Sequence, residues 1–217
     1  MKEKIIIGSG LSGPLLAIYL NQYNYKVTLF EKRKDLRKDI VSSGRSINLA
    51  LSERGIMALK EINVYDDVQK DLIPMMGRMI HTINGDTHFQ PYSINENEYI
   101  NSVSRNRLNE ILLNKVEESK NIKINFEHSL DKIEKNYLFF SNKIKYNINN
   151  NIVFGTDGFN SKVRKYIDSK MNYKTNIEFL GHSYKELNIS PSSEGIHKLD
   201  KNVLHIWPRD DFMIIAL

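Results

Sequence analysis

The stretch IIIGSGLSGPLLA, residues 5–17, decides the fold of this 217-residue chain. Its three isoleucines, bounded by glycine, are typical of a buried parallel strand. A helix is then predicted over residues 11–23, followed by a second buried strand over residues 26–30. Strand, glycine loop, helix and strand within about 30 residues predict a right-handed βαβ unit. We expect one face of the helix to consist of Leu16, Leu20 and Tyr23.

The glycine loop has the pattern G-x-G-x-x-G, formed by Gly8, Gly10 and Gly13. The first glycine of such a loop permits a tight turn, the second lets the backbone approach a pyrophosphate, and the third lets helix and strand pack closely. The helix that begins near Ser12 directs unpaired N–H groups at the phosphates. Glu31 ends the second strand, where a carboxylate can bind ribose hydroxyls. These features predict a dinucleotide site, although a glycine turn in another α/β fold has the same short pattern.

A second motif lies far along the chain, where Asp157 and Gly158 follow a predicted strand at 152–154. A short helix is predicted from about Ser161. A carboxylate at this position can accept a hydrogen bond from a ribityl hydroxyl, which favours FAD over NAD as the dinucleotide. The alternative is local, because an aspartate at a strand-to-helix turn can simply cap the helix.

The remaining elements predict an α/β fold, with a Rossmann-like βαβ layer and an interleaved, mostly antiparallel second sheet. The turn Asn84-Gly85-Asp86 predicts a β-hairpin. We assign residues 1–75 and 99–175 to the cofactor-binding part, and 76–98 and 176–217 to the second sheet. Helices are predicted at 52–62 and 105–119, the latter with an apolar stripe of Leu108, Ile111, Leu112 and Val116. Further strands are predicted at 79–83, 87–92, 122–126, 137–140, 178–189, 203–207 and 212–217.

Composition excludes several classes of function. The net charge of +5 is spread among alternating acidic and basic residues, so we expect no nucleic-acid partner. No apolar run reaches the roughly 18 residues of a membrane-spanning helix, so we expect no membrane anchor in this chain. The chain has no cysteine, which fits a cytoplasmic location. Its six histidines lack the spacing of a zinc site, so no metal is predicted.

The glycine loop, Glu31 and the Asp157-Gly158 motif together resemble those of the aromatic-ring hydroxylases, which are single-component FAD monooxygenases. Six longer motifs are similar, in order and along the whole chain, to those of the kynurenine 3-monooxygenases within that family. They are GRSINLALSERG (44–55), RMIH (78–81), SVSRNRLNEILL (102–113), GTDGFNSKVR (155–164), GHSYKEL (181–187) and LHIWPRDDFMIIAL (204–217).

The resemblance implies an FAD enzyme with NADPH and O2 as cosubstrates and L-kynurenine as the small-molecule substrate, in tryptophan catabolism. NADPH reduces the bound FAD, and the reduced flavin forms a C4a-hydroperoxide that hydroxylates the ring ortho to its amino group. No catalytic side chain is implied, because the oxygen chemistry belongs to the flavin and the protein supplies position and a dry pocket.

The resemblance also assigns residues. It implies that Arg78 and Tyr92 bind the substrate carboxylate. A guanidinium suits this role because it binds a carboxylate through two parallel hydrogen bonds. Alternatively, Arg78 is a surface strand arginine. The residues that the resemblance assigns to cofactor binding are Gly8, Gly10, Ser12, Gly13, Glu31, Lys32, Arg33, Arg45, Ala50, Arg105, Leu130, Asp157 and Gly158.

Several of these residues have plainer alternatives. Arg45 and Arg105 are equally suited to structural ion pairs. Trp207 is expected in the core of the second sheet. His81 and His205 are expected to line the sheet over the substrate, without a proton-transfer role.

Members of the family continue beyond the strand FMIIAL to a second Gly-Asp flavin motif and further helices. The chain therefore corresponds to the N-terminal half of a hydroxylase, either as a fragment of an active enzyme or as a truncated, inactive remnant or half of a split protein. A related FAD hydroxylase of another aromatic acid and a plain NAD(H)-binding Rossmann domain are the remaining alternatives. The oligomeric state is not predicted.

Overall fold

The computed structural model describes residues 2–38, 47–95 and 97–217 of the chain. The helices in this part are α1 (Ser12–Gln22), α2 (Glu53–Glu61), α3 (Tyr65–Val68), α4 (Arg105–Glu118) and α5 (Lys162–Met171). The strands are β1 (Lys4–Ile7), β2 (Val27–Phe30), β3 (Asn48–Leu51), β4 (Ile73–Met75), β5 (Gly77–His81), β6 (Thr87–Pro91), β7 (Ile100–Ser104), β8 (Ile122–Asn125), β9 (Leu130–Glu134), β10 (Tyr137–Phe140), β11 (Lys145–Asn147), β12 (Ile152–Gly155), β13 (Leu204–Pro208) and β14 (Met213–Ala216).

The chain divides into two compact units, each built from separate stretches of sequence. The first unit comprises residues 1–44, 61–64 and 108–183. The second comprises residues 45–60, 65–107 and 184–217. The predicted assignment of residues to cofactor and substrate parts is a statement about binding, and it stays a prediction.

The first unit is built on a parallel sheet in the order β12-β1-β2-β8. Every residue of β1 and β2 is buried, as continuous apolar runs in a sheet covered on both faces require. Helix α1 connects β1 to β2, so the predicted βαβ unit and the Rossmann-like fold class are confirmed.

Helix α1 packs through small residues, and not through the face that carries Leu16, Leu20 and Tyr23. The buried residues are Gly13, Pro14, Ala17 and Ile18, whereas Tyr23 is 56% exposed. Small side chains let the helix axis approach the sheet closely, which the larger leucines and the tyrosine do not allow. The helix is therefore seated directly behind the glycine loop.

A small antiparallel sheet in the order β11-β10-β9 completes the first unit. Its inner side chains share a core with β1, β2 and α5. The buried members of this core are Ile5, Ile7, Phe30, Leu130, Leu138, Phe140 and Val163.

The second unit contains two sheets, in the orders β14-β13-β5-β6 and β3-β7-β4. The predicted hairpin is confirmed, since β5 and β6 pair antiparallel across the turn at Gly85. Strand β13 runs parallel to β5 and antiparallel to β14. The second sheet is therefore mostly antiparallel, as predicted, with one parallel pair.

The strand predicted at 178–189 was wrong, because those residues form neither strand nor helix. Their apolar side chains are exposed, including Phe179 at 85% and Leu180 at 88%. Strand preference depends on a pleated, half-buried surface to pack against. Apolar residues without a neighbouring strand to pack against do not supply that surface.

Within the described ranges, none of the helices is both long enough and apolar enough to cross a lipid bilayer.

Candidate dinucleotide and carboxylate sites

The glycine loop between β1 and α1 leaves no room for a side chain at Gly8 or Gly13. Gly8 has φ +101°, and a Cβ placed there would lie 2.4 Å from the carbonyl oxygen of Thr156. A Cβ on Gly13 would lie 2.0 Å from the carbonyl oxygen of Gly8. The turn therefore requires glycine at the first and third positions of the pattern, for the two reasons that the sequence predicted.

The carboxylate of Glu31 holds this loop from the end of β2. One of its oxygens accepts the backbone N–H of Ser9 at 2.7 Å, and the other accepts the backbone N–H of Arg33 at 3.0 Å. A carboxylate offers about four acceptor positions, so two of them stay available to ribose hydroxyls. Glu31 is thus placed for the predicted role and also fixes the loop.

Thr156 is a loop contact that the sequence reasoning missed. Its hydroxyl lies 2.7 Å from the carbonyl oxygen of Gly8 and 3.0 Å from that of Ile7, and its backbone N–H donates to Ile7 at 2.8 Å. It joins the end of β12 to the loop that follows β1. The signal was its position directly before Asp157, in a motif that we interpreted only through the aspartate.

The N-terminus of α1 is open toward the loop. No side chain caps the helix, whose first residue, Ser12, is exposed. The hydroxyl of Ser9 is buried and has no hydrogen-bond partner among the described residues. An uncapped helix N-terminus behind a glycine loop suits a pyrophosphate, because its free N–H groups and the helix dipole both favour anions. The loop geometry therefore fits a dinucleotide such as FAD.

Asp157 caps helix α5. Its two oxygens accept the hydroxyl of Ser161 at 2.6 Å and the backbone N–H groups of Lys162 at 2.7 Å and Val163 at 3.3 Å. The alternative of a local cap therefore describes its contacts in this structure. Three of about four acceptor positions are used, which leaves one for a ribityl hydroxyl. Gly158 follows with φ +78°.

The loop after β2 is fixed by an ion-pair cluster that the sequence reasoning also missed. Arg37 contacts Asp35, Asn114 and Glu117, and so joins this loop to helix α4. The guanidinium hydrogen bond is the main cause that holds the pKa of Asp35 below its ordinary value. The same pair raises the pKa of Arg37. Lys32 and Arg33, both predicted to bind the cofactor, lie exposed on this loop.

The remaining predicted cofactor residues have varied surroundings. Leu130 begins β9, is 7% exposed and packs in the core that this sheet shares with β1, β2 and α5. Ala50 is exposed on β3, opposite Ser102 of β7. Arg105 begins α4, and its backbone N–H donates to the carbonyl of Ile47 at 3.0 Å. Arg45 lies outside the described residues.

The two residues predicted to bind a carboxylate are adjacent in the second unit. The guanidinium carbon of Arg78 lies 5.3 Å from the ring centre of Tyr92, which is a cation–π contact. The hydroxyl of Tyr92 is buried and has no partner among the described residues. The hairpin brings Arg78, on β5, close to Tyr92, which directly follows β6. The backbone N–H of Tyr92 donates to the carbonyl of Met76 across the two strands.

The opposite face of the same sheet carries two histidines and the tryptophan. His81 lies on the other face from Arg78 because successive strand residues alternate. Its Nε2 is 2.8 Å from Nδ1 of His205, and its ring stacks on Trp207 with a centroid separation of 4.2 Å. Burial, followed by the charges of His205 and Arg209, lowers the pKa of His81.

The protonation of the histidine pair follows from its neighbours. Nε2 of His205 lies 2.8 Å from the carbonyl of Asp200, which can only accept, so this nitrogen carries the proton. In the neutral ring Nδ1 then accepts from His81. His81 therefore donates to His205, and His205 donates to the carbonyl of Asp200. The ring of His81 stacks on Trp207, which is partly exposed.

Comparison with known proteins identifies the family of the chain. Residues 2–214 match the model of an FAD binding domain, which confirms FAD as the predicted cofactor at the level of the family. The chain is also similar in fold to 2-methyl-3-hydroxypyridine-5-carboxylic acid oxygenase, with a TM-score of 0.64 and 20% identity over 77% of this chain and 42% of that one. It is similar as well to PqsL, a probable FAD-dependent monooxygenase from Pseudomonas aeruginosa. That comparison has a TM-score of 0.62 and 16% identity, over 81% of this chain and 46% of PqsL.

Curated relatives confirm the resemblance to the kynurenine 3-monooxygenases. Proteins of that name from Legionella pneumophila, Myxococcus xanthus and Sus scrofa are 43%, 38% and 40% identical over 100%, 98% and 98% of this chain. The matched part is 49%, 47% and 45% of those proteins, so the chain spans about half the length of the curated relatives it matches. With the family model matching nearly its whole length, the chain belongs to the FAD binding domain family.

Proposed function

We propose that the chain provides the dinucleotide-binding and substrate-carboxylate-binding parts of an FAD- and NADPH-dependent monooxygenase that converts L-kynurenine to 3-hydroxykynurenine. The observation that carries this proposal is its collinear similarity, at 38–43% identity, to proteins named kynurenine 3-monooxygenase. The glycine loop supports the cofactor part of the proposal, and the contact between Arg78 and Tyr92 supports the substrate part.

FAD supplies the chemistry when bound, since its reduced ring activates O2 for transfer of a hydroxyl group. The protein holds the dinucleotide. The Gly8–Gly13 loop and the N-terminus of α1 bind the pyrophosphate, while Glu31 accepts from the ribose hydroxyls. Asp157 uses its remaining acceptor position for the ribityl chain, beside Gly158. The other contributions come from Lys32, Arg33, Arg45, Ala50, Arg105 and Leu130.

Arg78 and Tyr92 bind the amino-acid carboxylate of kynurenine. The guanidinium supplies two parallel donors, and the buried phenol supplies a third. The contact between the two side chains holds the guanidinium in place before substrate arrives, which lowers the entropy lost on binding. A carboxylate bound at this hairpin orients the aromatic ring.

Because the chain covers about half of its relatives, flavin binding and turnover are separate questions. In the purified chain, flavin absorbance after desalting measures whether FAD is retained. NADPH oxidation is then followed without substrate and with kynurenine, 4-hydroxybenzoate or salicylate, and 3-hydroxykynurenine is assayed in the products. We expect FAD retention, and oxidation stimulated by kynurenine alone.

Each alternative predicts a different result in this experiment. Stimulation by another aromatic acid indicates a related hydroxylase with a different substrate. FAD retention with no stimulated oxidation indicates that turnover needs residues outside this chain. A chain that retains NADH and no flavin contradicts the proposal and indicates a plain NAD(H)-binding domain.

A further inference from the structure

Helix α4 carries a buried amide within its apolar stripe. Asn109 is 8% exposed and lies beside Leu108 and Leu112, which are 5% and 1% exposed. Burying an amide costs free energy unless hydrogen bonds replace those made with water. A buried polar residue at a core position is therefore informative, and its partner indicates its role.

The partner of Asn109 is the glycine loop. Its Nδ2 donates to the main-chain carbonyl of Ser9 at 3.3 Å, across 100 residues of sequence. Its Oδ1 and the hydroxyl of Ser9 are both buried without a partner among the described residues. Within the described ranges, only one of the two polar atoms of this amide is therefore hydrogen-bonded.

Three side chains from outside the loop fix its first peptide units, and each fixes a different group. Glu31 accepts the N–H of Ser9 at 2.7 Å, and the hydroxyl of Thr156 lies 2.7 Å from the carbonyl of Gly8. These two contacts fix the peptide between Gly8 and Ser9. Asn109 donates to the carbonyl of the next peptide, between Ser9 and Gly10. The contacts of Glu31 and Thr156 given above do not involve this second peptide.

The orientation of that second peptide determines where its N–H points. The Ser9–Gly10 peptide is trans. In a trans peptide the carbonyl and the N–H point in opposite directions. Because Asn109 holds the carbonyl of Ser9 on the α4 side, the N–H of Gly10 is directed away from α4. A backbone N–H held in one direction binds an anion with less loss of entropy than one on a peptide free to rotate.

We propose that Asn109 is a positioning residue for dinucleotide binding, which orients the Ser9–Gly10 peptide so that its N–H is ready for the pyrophosphate. This inference rests on the proposed function, because the bound group is FAD. Asn109 acts through the loop and does not itself touch the cofactor. Removing the Asn109 amide therefore weakens the binding of every ligand that carries a pyrophosphate, including ADP.

The experiment compares two substitutions at this position with a matched control on the same helix. Asn109→Leu keeps the branched shape of the side chain and removes the donor, and Asn109→Ser is small and too short to reach the carbonyl of Ser9. The control is Asn114→Leu, since the amide of Asn114 bonds to Arg37 instead. For each protein, dissociation constants for FAD and for ADP are measured by isothermal titration of the flavin-free chain. Thermal unfolding without ligand is recorded alongside.

We expect both Asn109 variants to bind FAD and ADP roughly three- to tenfold more weakly than wild type, the range for one net hydrogen bond. Asn114→Leu is expected to bind both ligands as wild type does. Wild-type affinity in both Asn109 variants overturns the inference, even if their melting temperatures change, because Asn109 is then only a packing residue.

Two further results also decide the question. Weakening in Asn109→Leu alone, or equal weakening in Asn114→Leu, assigns the effect to helix packing and overturns the inference. A wild-type chain that binds neither FAD nor ADP refutes the proposed function itself, and the inference with it. That last result differs from the others because it is seen before any substitution is made.

Discussion

The guanidinium of Arg37 and the carboxylate of Asp35 form a two-point ion pair between residues only two positions apart. Nε donates to one carboxylate oxygen at 2.8 Å and Nη2 to the other at 2.6 Å, while the backbone N–H of Arg37 adds a third bond at 3.1 Å. The Asp35 side chain is 6% exposed and that of Arg37 is 12% exposed. The loop that follows β2, next to Glu31, is thus fixed by a pair that is largely removed from water.

Substituting Arg37 with methionine tests how much this pair contributes to stability. The variant leaves the nearly buried Asp35 carboxylate without its partner, so we expect the free energy of unfolding to fall by about 2–3 kcal/mol. Urea denaturation at pH 7 measures the change. The control is Lys132→Met, which breaks the exposed pair with Glu134 and should cost at most about 1 kcal/mol. Equal losses in the two variants would contradict the prediction.

Acid should reduce the advantage of wild type over Arg37→Met. The pKa of Asp35 is lowered in the fold, mainly by the hydrogen bond from Arg37. A group with a lowered pKa contributes stability that is full above its unfolded pKa of about 3.9 and is lost as pH falls through the folded pKa. Urea denaturation in steps from pH 7 downward should show the difference between the two proteins shrinking below about pH 4. A difference that is constant with pH would show that Arg37 acts through packing alone.

Gly8→Ala should damage the glycine loop far more than Gly85→Ala, although both glycines have positive φ. At Gly85, φ is +93° and a Cβ meets no atom within 4 Å, so only backbone strain of about 1–3 kcal/mol applies. At Gly8, φ is +101° and the Cβ collides with the Thr156 backbone, which adds about 1–3 kcal/mol. Thermal unfolding and retention of FAD measure both effects. FAD retention should be lost in Gly8→Ala and kept in Gly85→Ala.

Local patterns predicted the first unit well, because the physical reasons for its shape lie within short stretches. The isoleucine run of β1 and the glycines that follow it need no distant partner to be interpreted. The contacts that hold the loop were missed because they come from far along the chain. Thr156 and Asn109 lie more than 90 residues from Gly8 and Ser9, and a buried asparagine is indistinguishable in sequence from a solvated one.

Errors arose where tertiary context overrode a local preference. Residues 178–189 contain several apolar side chains and were predicted as a strand, yet they form no strand within the described part of the chain. Arg37 stands in a run of charged residues, and its pairing with Asp35 and Glu117 removes most of its side chain from water. In the candidate site, the pairing of Arg78 with Tyr92 could be predicted from the hairpin turn, but the stacking of His81 on Trp207 required the register between β5 and β13.

The single tryptophan should report protonation of His81. Because the pKa of His81 is lowered in the fold, its contribution to stability is full above about pH 6.5 and is lost as pH falls from there toward the folded pKa. A protonated imidazole stacked on indole quenches its emission. We expect Trp207 fluorescence to decrease as pH falls below about 6.5. His81→Phe should abolish this step, whereas His182→Gln, at an exposed histidine, should keep it. A step that survives His81→Phe would assign the titration elsewhere.

Arg78→Ala should weaken kynurenine binding by about 2–4 kcal/mol while FAD content is unchanged. The loss is expected because the substrate carboxylate would be left without its paired cation, at an arginine that is exposed in the ligand-free structure. Tyr92→Phe provides a second, gentler test, since the phenol has no partner among the described residues and its removal should not destabilise the fold. Tyr92→Phe should weaken kynurenine binding by about 1 kcal/mol, the net value of one hydrogen bond.

Titration of each flavin-loaded variant with kynurenine, followed by flavin absorbance, gives the dissociation constants. Lys70→Ala, at an exposed lysine paired with Asp67, is the control and should bind as wild type does. Loss of flavin from Arg78→Ala would contradict the assignment, because it would show that the arginine supports the cofactor or the fold and not the substrate carboxylate.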